Sequence, residues 1–71
     1  MTKRKIDKLN DLIRGEMKRQ KVNQNQAGYY IGLSRSELAL KLQGKIKWKL
    51  EEIIGLAELL GIGGEISEIL F

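Results

Sequence analysis

The chain has no cysteine, no histidine and no proline in its 71 residues. Without cysteine there is no disulfide to staple a small fold. Without histidine as well, only carboxylates remain as ligands for a structural metal, a poor set for zinc, so no metal is expected. The missing proline leaves every helical segment uninterrupted. Long apolar runs are lacking too, for none approaches the ~20 residues of a membrane span. The basic start Met1-Thr2-Lys3-Arg4-Lys5 runs into a charged amphipathic segment rather than an apolar one. A signal peptide is therefore not expected, and the chain reads as soluble, intracellular and cytoplasmic. Catalysis is poorly provided for: the serines have no base near them and the carboxylates fall on charged helix faces, so neither an enzyme nor a cofactor is expected. Packing must hold the fold, and 42% hydrophobic residues suffice for one small helical core near the lower size limit.

Charge is present but unevenly placed. Residues 1–49 hold all 13 basic residues and four acids (Asp7, Asp11, Glu16, Glu37), a net +9. Residues 50–71 hold five acids (Glu51, Glu52, Glu58, Glu65, Glu68) and no base, a net −5, so the overall +4 conceals a polarised chain. Such a molecule presents one side to a polyanion and keeps its other end away from it.

Apolar spacing predicts five helices, no strand and a single all-α domain over 1–71. The first runs from about Lys3 to Gln20 with Ile6, Leu9, Ile13 and Met17 as its stripe and Leu12 widening it. Gly15 within it costs up to ~1 kcal/mol of helix propensity, which close approach of another helix would explain. Lys21-Val22 connects, with Val22 inward, and Asn23 caps the second helix. Gly44 ends the third as a left-handed residue. The basic loop Lys45-Ile46-Lys47-Trp48-Lys49 follows, Trp48 closing as a lid over the third and fourth helices. The fourth helix, Leu50 to Leu60, is expected to bury Leu50, Ile53, Ala57 and Leu60, with Ile54 beside them. Glu51 and Glu52 complement its dipole. After Gly61 and Ile62-Gly63-Gly64, a short final helix carries Ile66, Ile69, Leu70 and Phe71.

The segment 24–44 is the most informative. Ala27 and Ile31 form an i, i+4 apolar pair, and Leu38 and Leu42 form another. Between them Gly32 suits a left-handed turn, Leu33 follows as a plug, and Ser34 is placed to cap the next helix. A turn this short makes the two helices cross steeply and holds the second out from the body.

Taken in order, these residues resemble the Cro/repressor helix-turn-helix family, the lambda-repressor-like or XRE-type DNA-binding domains. The resemblance covers about residues 6–71. It rests on Leu12-Ile13 through Met17, Val22-Asn23-Gln24, Ile31-Gly32-Leu33-Ser34-Arg35-Ser36, Leu42-Gln43-Gly44-Lys45, Trp48-Lys49-Leu50-Glu51-Glu52-Ile53 and Ala57-Glu58-Leu59-Leu60-Gly61-Ile62. The chain departs from the family at Ala27-Gly28, where leucine then alanine is usual, at Lys41, where an apolar residue is common, and at Gly15. The smaller pair at 27–28 would either let the two helices sit closer or pack less well, and Leu42 is expected to take the core role beside Lys41.

The resemblance implies a compact five-helix fold, a sequence-specific double-stranded DNA-binding transcriptional regulator of Cro-like or compact phage-repressor type, and a third helix lying in the major groove. Carried over, Arg35, Ser36, Glu37 and Leu40 would meet bases. Arg35 would pair with guanine, and Leu40 is either a thymine-methyl contact or a core residue. Glu37 has a capping role as its plainer alternative. Gln24, Tyr29, Gln43, Lys45, Lys47 and Lys49 would contact the backbone, with Tyr30 instead packing its ring on the first helix. The cations Lys3, Arg4 and Lys5 suggest an arm on DNA. Family members act as homodimers on palindromic sites, and Ile66, Ile69, Leu70 and Phe71 are the dimer candidates unless they close the monomer core. No small-molecule ligand is expected. The alternative reading is a protein–protein interaction module, antitoxin-like or anti-activator, on the same fold.

Overall fold

Four of the five helices begin or end on identifiable backbone devices. The computed structural model describes residues 3–71, and Met1 and Thr2 of the expected basic arm lie outside the described residues. In chain order the helices are α1 (Lys5–Gln20), α2 (Gln24–Ile31), α3 (Arg35–Leu42), α4 (Leu50–Leu60) and α5 (Gly63–Leu70), with no strand among the described residues. Asn23 opens α2 by accepting from the Gln26 N–H at 2.8 Å while Gln26 Oε1 accepts from the Asn23 N–H at 2.9 Å. Ser34 and Glu37 make the same reciprocal pair at the start of α3. Each box satisfies donors that a helix N-terminus otherwise leaves free.

The C-termini turn through left-handed residues. Gly32 (φ 77°) ends α2, and the Leu33 N–H reaches back to the Gly28 carbonyl at 2.8 Å. Lys21 does the same for α1 at φ 58°, where a side chain is disfavoured. It is held there because the Val22 N–H donates to the Met17 carbonyl at 2.8 Å, which turns Val22 back onto the core.

One apolar core joins the five helices. Leu9, Ile13 and Met17 of α1 meet Ala27, Leu38 and Leu42, with Leu56, Leu60, Ile62 and Ile66 closing the other side. Val22, Ile31 and Leu33 are half-buried rather than fully enclosed. The α4 stripe is rotated from the expected one. Leu56 and Leu60 face inward with Glu52, Ile53 and Ala57 lie at the margin, and Leu50 and Ile54 are exposed.

Glu52 explains the rotation. Its carboxylate forms a buried ion pair with Lys41 of α3, both side chains 6% exposed, and accepts from the Lys49 N–H at 2.9 Å. Turning Glu52 inward carries Leu56, one helical turn on, to the core and carries Leu50 and Ile54 to the surface. Burial pushes the Glu52 carboxyl up. The hydrogen bonds from Lys41 and Lys49, with the charges of both ammonium groups, outweigh this and hold it below the usual carboxylate range.

The glycines divide into two kinds. A Cβ at Gly28 would lie 2.6 Å from the Leu33 carbonyl oxygen, and one at Gly55 would lie 2.7 Å from Ile31 Cγ2. Gly28 thus lets α2 fold tightly against its own turn, and Gly55 lets α2 seat on α4. Gly15 has open space around it, so no approaching helix accounts for it, contrary to the expectation from its place in α1. Trp48 is half-buried against the core. Its indole N–H donates to Asn10 Oδ1 at 2.7 Å, which pins the 43–49 loop to α1.

Gly15→Ala should stabilise the protein by roughly 0.5–1 kcal/mol, whereas Gly28→Ala should destabilise it by about 1–3 kcal/mol. Thermal unfolding followed by circular dichroism measures both, and equal effects would show that the Gly28 approach is not a constraint. Glu52→Gln should cost about 3–5 kcal/mol at pH 7 because it strands the Lys41 charge in the core. The folded-state pKa of Glu52 is depressed, so its contribution is present above the unfolded value of about 4.3 and is lost as pH falls through the folded value. The Tm gap between parent and Glu52→Gln should therefore close on acidification; a gap independent of pH would exclude the pair as its cause.

Candidate nucleic-acid interface

The α3 helix is anchored along one side only. Leu38, Lys41 and Leu42 are buried, so the opposite face holds Ser36, Leu40 and Gln43 at i, i+4, i+7 spacing. Ser36 and Gln43 are exposed and Leu40 is half-exposed, at the boundary between core and surface. Seven residues of helix carry this ridge about 10 Å, roughly three base-pair steps of ~3.4 Å. Gln43 thus stands on the same face as Ser36 rather than apart from it.

Arg35 flanks the ridge on one side and Glu37 on the other. Arg35 is exposed and lines a groove of about 510 Å³ whose floor is Met17, Val22 and Leu42. Arg14 and Lys18, one turn apart on α1, line it too, together with Asn23, Gln24 and Asn25 at the start of α2. Lys18 and Arg35, both outside any ion pair, and Arg14, which also pairs with Asp11, line this concavity with the start of α2, an arrangement suited to a phosphate oxyanion. Arg14 and Lys18 were not among the residues expected from the sequence. Their signal was available, since both neighbour Met17 on the helical wheel and so border the buried stripe.

Glu37 is engaged locally. Its Oε1 accepts from the Ser34 N–H at 3.3 Å, which makes the capping role its structural one. Tyr29 is 91% exposed on α2, and Tyr30, expected to lay its ring on α1, is instead 51% exposed. The backbone of α2 approaches α3 and α4 rather than α1.

The basic loop does not form a single clamp with Arg35. Lys45 and Lys49 are exposed, while Lys47 lines a second groove with Arg4, Lys5 and Trp48. Lys3 and Arg4 reach back onto α1, Lys3 Nζ to Asp11 at 2.5 Å and Arg4 Nε to Asp7 at 3.1 Å, rather than forming a free arm. Arg14 and Arg19 pair with Asp11 and Glu16 at 2.8 and 2.6 Å. Hydrogen bonds from these cations, Arg4 to Asp7, Lys3 to Asp11 and Arg19 to Glu16, hold the three carboxyls below their usual range.

Lys41 is removed from the surface charge altogether by its pairing with Glu52. Among the described residues, Lys5, Lys8, Lys18, Lys21, Arg35, Lys45, Lys47 and Lys49 are exposed cations outside any ion pair. At the C-terminal end, Ile66 is in the core and is withdrawn from the expected dimer surface. Ile69 and Leu70 are half-buried and Phe71 is 96% exposed.

Among the described residues no helix is long and apolar enough to cross a membrane. Comparison with known proteins returns no matching family model, no matching curated protein and no matching solved structure.

Proposed function

We propose that this chain is a sequence-specific duplex-DNA-binding transcriptional regulator of the Cro/repressor helix-turn-helix type, a compact repressor such as phages and mobile elements carry. The observation that carries the reading is the one-sided anchoring of α3, which leaves Ser36, Leu40 and Gln43 in a row beside the exposed Arg35. A helix presented this way fits the major groove, where each base pair displays its own donor and acceptor pattern.

In this reading Arg35 meets a guanine edge, Ser36 and Gln43 hydrogen-bond to bases or the flanking backbone, and Leu40 touches a thymine methyl. Gln24, Arg14 and Lys18 take a phosphate in the adjoining groove. Tyr29, Lys45, Lys47 and Lys49 add backbone contacts that set register and supply the salt-dependent part of the affinity. Three of the four acids of residues 1–49, Asp7, Asp11 and Glu16, are each paired with a neighbouring cation, which supports the assignment indirectly, while Glu37 caps α3.

Selection of bound duplexes from a random pool, followed by anisotropy titration, tests the proposal. A defined site should emerge, symmetric if two copies read it and asymmetric if one does. Absence of binding even at ~50 mM salt, where counterion release favours association, would overturn the reading. On the selected site Arg35→Ala should cost about 1–3 kcal/mol and relax preference at one position; equal losses on random DNA would reassign Arg35 to a phosphate. Lys47→Ala should weaken all sequences alike and reduce the salt slope by about one, and an unchanged slope would remove Lys47 from the interface.

A further inference from the structure

The α4 rotation that brings Glu52 inward leaves an apolar face uncovered. Leu50 is 67% exposed and Ile54 is 50% exposed, and both line a groove between α4 and α5. Ile53 and Leu70 line its inner side, Gly63 leaves one wall without a side chain, and Phe71 stands at the rim. Its volume is about 290 Å³, room for a few side-chain anchors.

The rim along α4 is acidic. Glu58 lines the groove, and Glu51 lies two turns before it on the same side of α4. No cation occurs anywhere in residues 50–71. Exposed apolar surface bordered along one helix by charge of one sign suits a partner that sets the opposite sign against that edge. A second copy seated face to face would set Glu51 and Glu58 against their own counterparts, and opposing like charges disfavour that contact.

We propose that the α4–α5 groove docks a cationic amphipathic helix of a partner protein, its apolar stripe seated on Leu50, Ile54 and Phe71 and its lysines or arginines against Glu51 and Glu58. The occupant enters by the helix-in-groove mode, with anchors at i, i+3 or i+4, and i+7. The groove shares no lining residue with α3, and α5 packs on α1 and α4 only, so docking leaves the α3 ridge uncovered. The proposal stands independently of DNA binding.

The full chain, labelled with ¹⁵N, is titrated with a synthetic helical peptide of leucines at those spacings and lysines elsewhere. A peptide with glutamate in place of each lysine serves as control. Because the protein carries a net +4, general electrostatics oppose the lysine peptide, and its binding must come from the local acidic face.

Amide shifts are expected along α4 and the end of α5 but not along α3. Affinity should fall about tenfold in Ile54→Glu, as for loss of an anchor, and severalfold in Glu51→Lys/Glu58→Lys. The glutamate peptide should not bind. Equal binding of the two peptides, or unchanged affinity in both variants, overturns the proposal. So does concentration-dependent dimerisation in sedimentation that Ile54→Glu abolishes, since the occupant would then be a second copy. Ile54 is half-exposed and its replacement should leave the helical circular dichroism intact; if it does not, the surface double variant carries the test. Retained duplex binding by Ile54→Glu separates this result from the DNA reading.

Discussion

The buried pairing of Lys41 with Glu52 is the constraint on which the arrangement of α3 and the C-terminal half depends. α3 and α4 meet through side chains: Leu38 and Leu42 share the core with Leu56 and Leu60, and the ion pair adds the polar tie between them. An ion pair taken from water is favourable only when its remaining hydrogen-bonding capacity is met. Here the Lys49 N–H supplies a further donor to the carboxylate, and no buried side-chain nitrogen or oxygen among the described residues is left without a partner. The same carboxylate therefore fixes α3, the start of α4 and the end of the loop between them. Trp48 on Asn10 holds that loop from its other side. Because every anchor of α3 lies on its inner side, its outer ridge is fixed in direction while remaining uncovered.

A second consequence is electrostatic. The sequence shows a basic half and an acidic half, but charge counts alone overstate the free cations. Lys41 is neutralised in the core, and Lys3, Arg4, Arg14 and Arg19 are drawn to Asp11, Asp7 and Glu16 on α1. These exposed pairs add little stability, since solvent screens them. Their effect is on the field: three of the four acids of this half are each paired with a cation, and the exposed lysines and Arg35 outnumber the remaining Glu37. The acidic half has no such cancellation apart from Glu52, whose partner is Lys41. One end of the molecule so suits a polyanion and the other a cationic partner, and the pairing in the core is the only ion pair that joins the two halves among the described residues.

Local signals were legible in the sequence, and pairwise ones were not. Asn23 and Ser34 with glutamine or glutamate three residues on, and Gly32, Gly44 and Gly61 past apolar stripes, mark helix ends through interactions within a few residues. Five helices could therefore be read with boundaries close to those observed. The inward face of α4 was misplaced because ranking residues by hydrophobicity puts Leu50 and Ile54 ahead of Glu52. Only knowledge that Lys41, 11 positions earlier, is also buried reverses that order. The same reasoning applies to the site. Arg35, Ser36 and Glu37 are legible as the start of a capped helix. The helical wheel places Arg14 and Lys18 beside the buried stripe of α1, but only the packing of α1 shows that the element they border carries Arg35.

The two close-packed glycines show how the placement of α3 is separated from what α3 displays. Gly28 meets the backbone of Leu33 and Ser34, and Gly32 adopts the left-handed turn that follows, so the α2–α3 crossing is set by main-chain contacts. Gly55 seats α2 on α4 through Ile31, which passes the same constraint to the rest of the core. None of these contacts involves Ser36, Leu40 or Gln43. Side chains on the outer ridge can therefore change without moving the helix, whereas a single methyl group at position 28 would tilt it. A scaffold of this kind tolerates variation where an interface would be read and resists it where the reading element is aimed.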